Sequence, residues 1–237
     1  MFNYLANPTR FRKIASFILP FLEVICLLSL GYGLYLALLV SPADYQQGDA
    51  VRIMYVHVPS AWLALSSYLL LGICSFFFLI WRHPLAEIAA RSIAPIGTGF
   101  AALTLITGSF WGKPIWGVWW VWDGRLTSML VLFFFFIGYI SLSNAFDRSE
   151  RGARPAAILA LVGCINLPIV KFSVDWWHTL HQPASIMRSG GISIDPAMRW
   201  PLLTLFFSFQ IFFIIIVLTR MLTLLNELKY FKQISRS

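Results

Sequence analysis

The sequence predicts an all-α, polytopic integral membrane protein with six transmembrane helices. Three observations carry that expectation. The 237 residues are 59% hydrophobic and 12% charged, with a mean hydropathy of +0.75, whereas soluble domains run about 25% charged. That is more apolar side chain than a globule of this size needs for its core. Apolar runs of the length needed to cross a bilayer, about 20 residues, recur along the chain. The basic residues gather at the ends of these runs, where the positive-inside rule puts them. These features argue against a disordered chain, a nucleic-acid-binding domain and a soluble enzyme. The formal charge of +8 therefore reflects flanks at a membrane surface, not contact with DNA.

The runs place spans at about 17–40, 53–81, 88–110, 126–146, 156–172 and 201–225. The fifth is the shortest, and Asn166, Pro168 and Lys171 weaken its outer half. One membrane domain then covers 1–237, with no soluble domain, repeat or low-complexity segment left over. Orientation follows from the flanking cations. Arg10, Arg12, Lys13, Arg82, Arg91, Arg148, Arg151, Arg154, Arg220, Lys229, Lys232 and Arg236 make 12 on one side. Arg52, Lys113, Arg125, Lys171, Arg188 and Arg199 make 6 on the other. This bias puts both termini in the cytoplasm. Segments 41–52, 111–125 and 172–200 then face outward, which in a bacterium is the periplasm. No cleavable signal peptide is evident. Cys26, Cys74 and Cys164 are scattered through apolar runs, so neither a disulfide framework nor a zinc site is expected. With no C-x-x-C-H, the chain attaches no haem covalently to itself.

Ten tryptophans stand in the chain, and five of them fall within Trp111–Trp122. An aromatic belt accounts for Trp81, Trp200 and Trp62 but not for that density. The cluster is Trp111-Gly112-Lys113-Pro114-Ile115-Trp116-Gly117-Val118-Trp119-Trp120-Val121-Trp122-Asp123-Gly124-Arg125. Its glycines and prolines are expected to break regular helix. Its indoles offer broad, rigid, apolar faces, suited to a planar hydrophobic ligand of porphyrin size. The competing reading is a loop that caps its own helix ends at the bilayer surface. Composition does not choose between the two.

Histidine does. His83, in Arg82-His83-Pro84, reads as a solvated cytoplasmic turn residue. His57 lies about one turn into the second span, roughly 6 Å below its outer end. An ionisable residue there faces the bundle interior and is functional by default, the alternative being a histidine hydrogen-bonded to a neighbouring helix. Pro59 predicts a local distortion beside it. His178 and His181 lie in Asp175-Trp176-Trp177-His178-Thr179-Leu180-His181-Gln182-Pro183. As a short helix this piece puts Asp175, His178 and His181 on one face. Three readings stay open for it: a small metal site, an axial ligand to haem iron, or a plain interfacial helix. Two histidines from separate outward segments would hold an iron from opposite faces, with the tryptophan loop covering the porphyrin. The propionates then need cations on the same side. Arg52 and Arg125 suit carboxylates better than Lys113 does. Asp123 either caps the next helix or orients a ligand.

At these residues the sequence resembles a known family. Trp111-Gly112…Trp116-Gly117…Trp119-Trp120-Val121-Trp122-Asp123 is similar to the "WWD" signature of haem-handling membrane proteins. Four further pieces resemble the haem exporter protein C (CcmC) family of bacterial and mitochondrial cytochrome c maturation: Ala43-Asp44-Tyr45-Gln46-Gln47-Gly48, Tyr55-Val56-His57-Val58-Pro59, Ala94-Pro95-Ile96-Gly97 and Trp176-Trp177-His178-Thr179-Leu180-His181-Gln182. The resemblance runs from about 42 to 200. It implies haem b bound non-covalently on the periplasmic side of the inner membrane. It implies axial ligation by His57 and His181, with His178 outside the pattern. It implies a platform of Trp111, Gly112, Trp116, Gly117, Trp119, Trp120, Trp122 and Asp123. It implies delivery to the periplasmic haem chaperone CcmE, and work beside CcmA, CcmB and CcmD. The larger relatives CcmF and CcsA share the loop but have more spans than this chain supplies. The expected role is that of a transfer factor rather than an ordinary enzyme. Three alternatives remain: a haem-transporting subunit of an ABC-type exporter, an electron-transferring membrane b-type cytochrome, and a structural assembly subunit. Only Glu23 offers an acidic group well inside an apolar run, which is thin support for a transport path.

Overall fold

The computed structural model describes residues 7–145, 149–181, 191 and 193–234, with backbone alone at 149–150 and 230–234. Among the residues singled out above, Arg148, Gln182, Pro183, Arg188 and Arg236 fall outside these, as does the Lys232 side chain. The regular elements are all helical: α1 (Pro8–Tyr35), α2 (Met54–Trp81), α3 (Pro84–Trp116), α4 (Gly124–Asn144), α5 (Ser149–Gly163), α6 (Asn166–Trp176) and α7 (Pro196–Ile234). A π-helical turn, Leu36–Val40, extends α1, and a 3-10 turn, Asp49–Ile53, leads into α2. Six stretches are long and apolar enough to cross a membrane: Pro8–Val40, Asp49–Trp81, Pro84–Trp116, Gly124–Asn144, Arg151–Trp176 and Pro196–Lys229. The fold is the all-α, six-span class that the composition requires.

Local chemistry sets the boundaries. Arg82 closes α2 in the left-handed region at φ 51°. His83, expected as a solvated turn residue, caps α3 instead: its Nδ1 accepts the Ala86 N–H at 3.3 Å, and Pro84 takes the first helical position. Proline suits that position because its missing N–H would be unpaired there anyway. The helix break expected over the tryptophan cluster does not come before Trp116, and the local distortion expected beside Pro59 leaves α2 continuous. α2 runs unbroken through Pro59, and α3 continues to Trp116 through Gly112 and Pro114. Pro114 stands in the last turn, so α3 loses one donor there and then stops. Gly117, at φ 77°, ends it with its N–H on the Lys113 carbonyl at 3.0 Å. Glycine reaches that φ without the Cβ penalty other residues carry.

The fifth span is two helices. Pro168 lacks the N–H that would bond Cys164, and its ring collides with that carbonyl in a continuous helix. The chain therefore turns at Cys164–Ile165 and restarts at Asn166. Buried Asn166 fixes the break by donating from Nδ2 to the Ser128 carbonyl of α4 at 2.8 Å.

α2 and α3 form the most extensive helix pair, joined by the Arg82–His83 turn. α4, α5 and α7 close around this pair, α6 packs on α4, and α1 lies mainly along α7. The central core is Leu63, Ala64, Tyr68 and Leu71 of α2, Ala94 and Ala101 of α3, Leu132 and Phe136 of α4, and Ala156 and Ala160 of α5. Small residues let helices approach closely, which drives packing where lipid removes the hydrophobic advantage. A smaller cluster, with Ala37, Val51, Met54, Tyr55, Met198, Leu202 and Leu205, underlies one end of the bundle.

Candidate functional site

That end gathers the chemistry. The start of α2, the end of α3, the start of α4 and the segment after α6 meet there. His57 is in the first turns of α2 and buried. Its ring lies 6.5 Å from that of His181, centroid to centroid, with 36° between the planes. The Trp111 ring meets His57 edge-on at 5.6 Å, and the Trp116 ring lies 6.3 Å from His181. Trp111 is itself held by its indole N–H, which donates to Gln47 Oε1 at 2.9 Å. Residues remote in sequence thus gather around two neighbouring imidazoles.

Hydrogen bonds to α3 hold the His57 ring. Its Nδ1 lies 3.0 Å from Thr107 Oγ1. The single Thr107 proton already serves α3 carbonyls, at 2.6 Å to Leu103 and 3.4 Å to Thr104. With that proton on Leu103, the hydroxyl oxygen accepts from the histidine, and the Thr104 backbone is a second hydrogen-bond partner of the ring. In that arrangement Nδ1 carries the proton and Nε2 the lone pair, the form in which an imidazole binds a metal. Gly108 completes the seat, since a Cβ there would stand 3.1 Å from His57 Cε1.

Asp123 caps the next helix, one of the two roles that the sequence left open, and also bonds the segment that carries His181. Oδ1 accepts the Leu126 N–H at 2.8 Å and caps α4. Oδ2 accepts the Thr179 hydroxyl, and Thr179 Oγ1 in turn accepts the His181 N–H at 3.0 Å. The carboxylate is buried, so each of these bonds replaces water it has lost.

The tryptophan cluster divides. Trp111, Gly112 and Trp116 belong to the last turns of α3, and the absent Gly112 side chain gives the Trp116 ring its room, a Cβ there meeting it at 2.8 Å. Trp119, Trp120 and Trp122 lie on the non-helical connection to α4. Trp119 and Trp122 are exposed, at 53% and 76%. Trp120 packs edge-on against Trp122 at 5.5 Å, and its indole N–H is buried with no hydrogen-bond partner among the described residues.

The two arginines differ. Arg125 is half-buried at the start of α4; one Nη donates to the Val170 carbonyl at 2.8 Å, while its Nε–H is buried and unpartnered among the described residues. Arg52 pairs with Asp49 at 3.0 Å and donates to the Ala37 carbonyl at 2.6 Å, so its fork ties its own turn to the end of α1. The Asp175–His178–His181 helical face does not form, because α6 ends at Trp176. Among the described residues no three His, Cys, Asp or Glu side chains group closely enough to hold a metal ion. His178 is exposed and lines an open cleft of about 500 Å³ with Trp122, Asp123, Gly124, Thr127 and Trp177.

Thr107, Gly108, Gln47 and Thr179 escape a reading of the sequence. Thr104, Thr107 and Trp111 share a helical face at i, i+3 and i+7, but that signal disappears if residue 111 is taken to begin a loop.

The family model described as heme exporter protein C matches residues 1–235 of the chain. The chain belongs to the heme exporter protein C family. Among its relatives, heme exporter protein C of Bradyrhizobium diazoefficiens is 51% identical over 217 residues, covering 92% of this chain and 82% of that protein. The Escherichia coli protein of the same name is 44% identical over 223 residues, covering 94% and 90%. A Marchantia polymorpha protein described as a cytochrome c biosynthesis ccmC-like mitochondrial protein is 46% identical over 194 residues, covering 80% and 82%. The family name points to haem export, and the name of the Marchantia polymorpha relative to cytochrome c biosynthesis.

Proposed function

We propose that this chain binds haem b non-covalently at the outward end of the helical bundle and delivers it to the periplasmic chaperone CcmE, working with CcmA, CcmB and CcmD in the bacterial inner membrane. One observation carries the reading: the 6.5 Å between the His57 and His181 ring centroids. Two imidazoles that each bind one metal at about 2.0 Å have centroids about 6 Å apart. The tautomer of His57 agrees, and two unpartnered buried donors, Trp120 Nε1 and Arg125 Nε, supply what carboxylate propionates need.

The groups then have distinct tasks. His57 and His181 ligate the iron of the cargo. Trp111 and Trp116 wall the ligand volume and keep water from it. Arg125 takes a propionate, with Arg52 a second cation at the same end. Trp119 and Trp122 form the exposed face on which CcmE docks, with Trp120, Gly112, Gly117 and Asp123 shaping the platform. No side chain has to move a proton; the work is to hold the macrocycle in one orientation.

The test is the absorption spectrum and haem content of His57→Ala and His181→Ala purified in detergent. Both are expected to lose the bis-imidazole spectrum. Unchanged spectra in both would overturn the ligand assignment. Trp119→Ala/Trp122→Ala is expected to retain haem and fail to pass it to CcmE, and full transfer by that variant would remove the docking role.

A further inference from the structure

We propose that Thr107 is a positioning residue for the cargo iron: it locks His57 in the Nδ1–H tautomer and strengthens Nε2 as a donor. The inference rests on the haem-site reading and extends it to a helix that supplies no ligand. Three facts on α3 support it. Thr107 Oγ1 is 3.0 Å from His57 Nδ1. Its own proton is spent on the Leu103 carbonyl at 2.6 Å, so its oxygen accepts. The adjacent Gly108 leaves the ring edge room to reach it, with a Cβ position only 3.1 Å from Cε1. His57 is buried, so no bulk water replaces the hydroxyl if it is lost.

The consequences follow from imidazole chemistry. With the acceptor present, the proton stays on Nδ1 and Nε2 is bare. Without it, the ring keeps only its Thr104 backbone partner, Nδ1–H loses its hydroxyl acceptor, and a proton placed on Nε2 blocks ligation. The Nδ1–H···O bond also pushes electron density toward Nε2 and raises its basicity. A more basic ligand favours ferric over ferrous iron, so the hydroxyl holds the reduction potential down.

The experiment uses the full chain in detergent, titrated with ferric protoporphyrin IX and followed by absorbance, with the midpoint potential read on the loaded protein. Thr107→Val keeps the shape and removes the acceptor. It is expected to weaken binding at least tenfold, within the range such second partners command. It is also expected to raise the potential; a tenfold loss of ferric preference corresponds to 59 mV for one electron. Thr107→Ser restores the acceptor and is expected to return both quantities to within about twofold of the unaltered protein. Thr107→Ala reads the same quantities if the valine variant does not accumulate. Loss of the bis-imidazole spectrum in His57→Ala, with affinity and potential unmoved in Thr107→Val or Thr107→Ala, overturns the role of Thr107 and leaves the site standing. Retention of that spectrum in His57→Ala overturns both.

Discussion

At Asp123 one carboxylate serves a helix and a loop with separate oxygens. Thr179→Val cuts only the loop arm, removing the hydroxyl that joins Asp123 to the His181 backbone. The expected result is reduced haem retention with little change in melting temperature. Asp123→Ala removes both arms. Loss of an N-cap costs about 1 kcal/mol, which lowers the melting temperature by about 2–4 °C in a chain of this size. Thermal melts beside haem absorbance separate the two. Equal melts for both variants would refute the capping contribution. Gly108 offers a steric counterpart. Gly108→Val puts branched carbons where a Cβ alone stands 3.1 Å from the His57 ring, and the expected outcome is loss of the bis-imidazole spectrum in a protein that still accumulates.

Elements make a different kind of prediction. Asn166→Leu removes the buried hydrogen bond that ties the α5–α6 turn to α4. A net cost of about 1 kcal/mol is expected, visible in the melt, with the haem spectrum unchanged because the 11-residue α6, about 16 Å long, separates the turn from the His181 segment. A changed spectrum would mean that the turn helps to set the site. The same elements show what a sequence discloses. Six spans were legible because hydropathy over about 20 residues is a strong, local signal. Their ends were less so. The tryptophan segment was expected to start as loop at Trp111, yet α3 runs on to Trp116, because one proline in a last turn forfeits a single donor and does not unwind the turn. Pro168 had more force because it stands where a continuous helix would need its N–H. His57 and His181 were legible by residue type and by resemblance. Thr107 was not: a threonine on an apolar helix commonly bonds its own i−4 carbonyl, as this one does, and only the packing of α3 on α2 reveals its second partner.

The whole molecule is asymmetric along its long axis. One end holds His57, His178, His181, the Trp111–Trp122 cluster and Arg125; the other holds Trp81, Arg82, His83 and the start of α1. We propose that the first end faces away from the cytoplasm, as the cation bias requires. Tyr45 is 91% exposed on the loop whose Gln47 holds Trp111. Tyr45→Cys is expected to react with a membrane-impermeant thiol reagent added outside intact cells. His83→Cys is expected to react only after the cells are opened. The reverse pattern would invert the topology and place the histidines in the cytosol. Anchorage adds a mechanical point. Trp122 is next in the chain to the carboxylate that tethers His181, so a protein that grips the indole and pulls also tugs on the imidazole-bearing strand. Unloading can then be triggered from the rim, by a visitor that never reaches the iron.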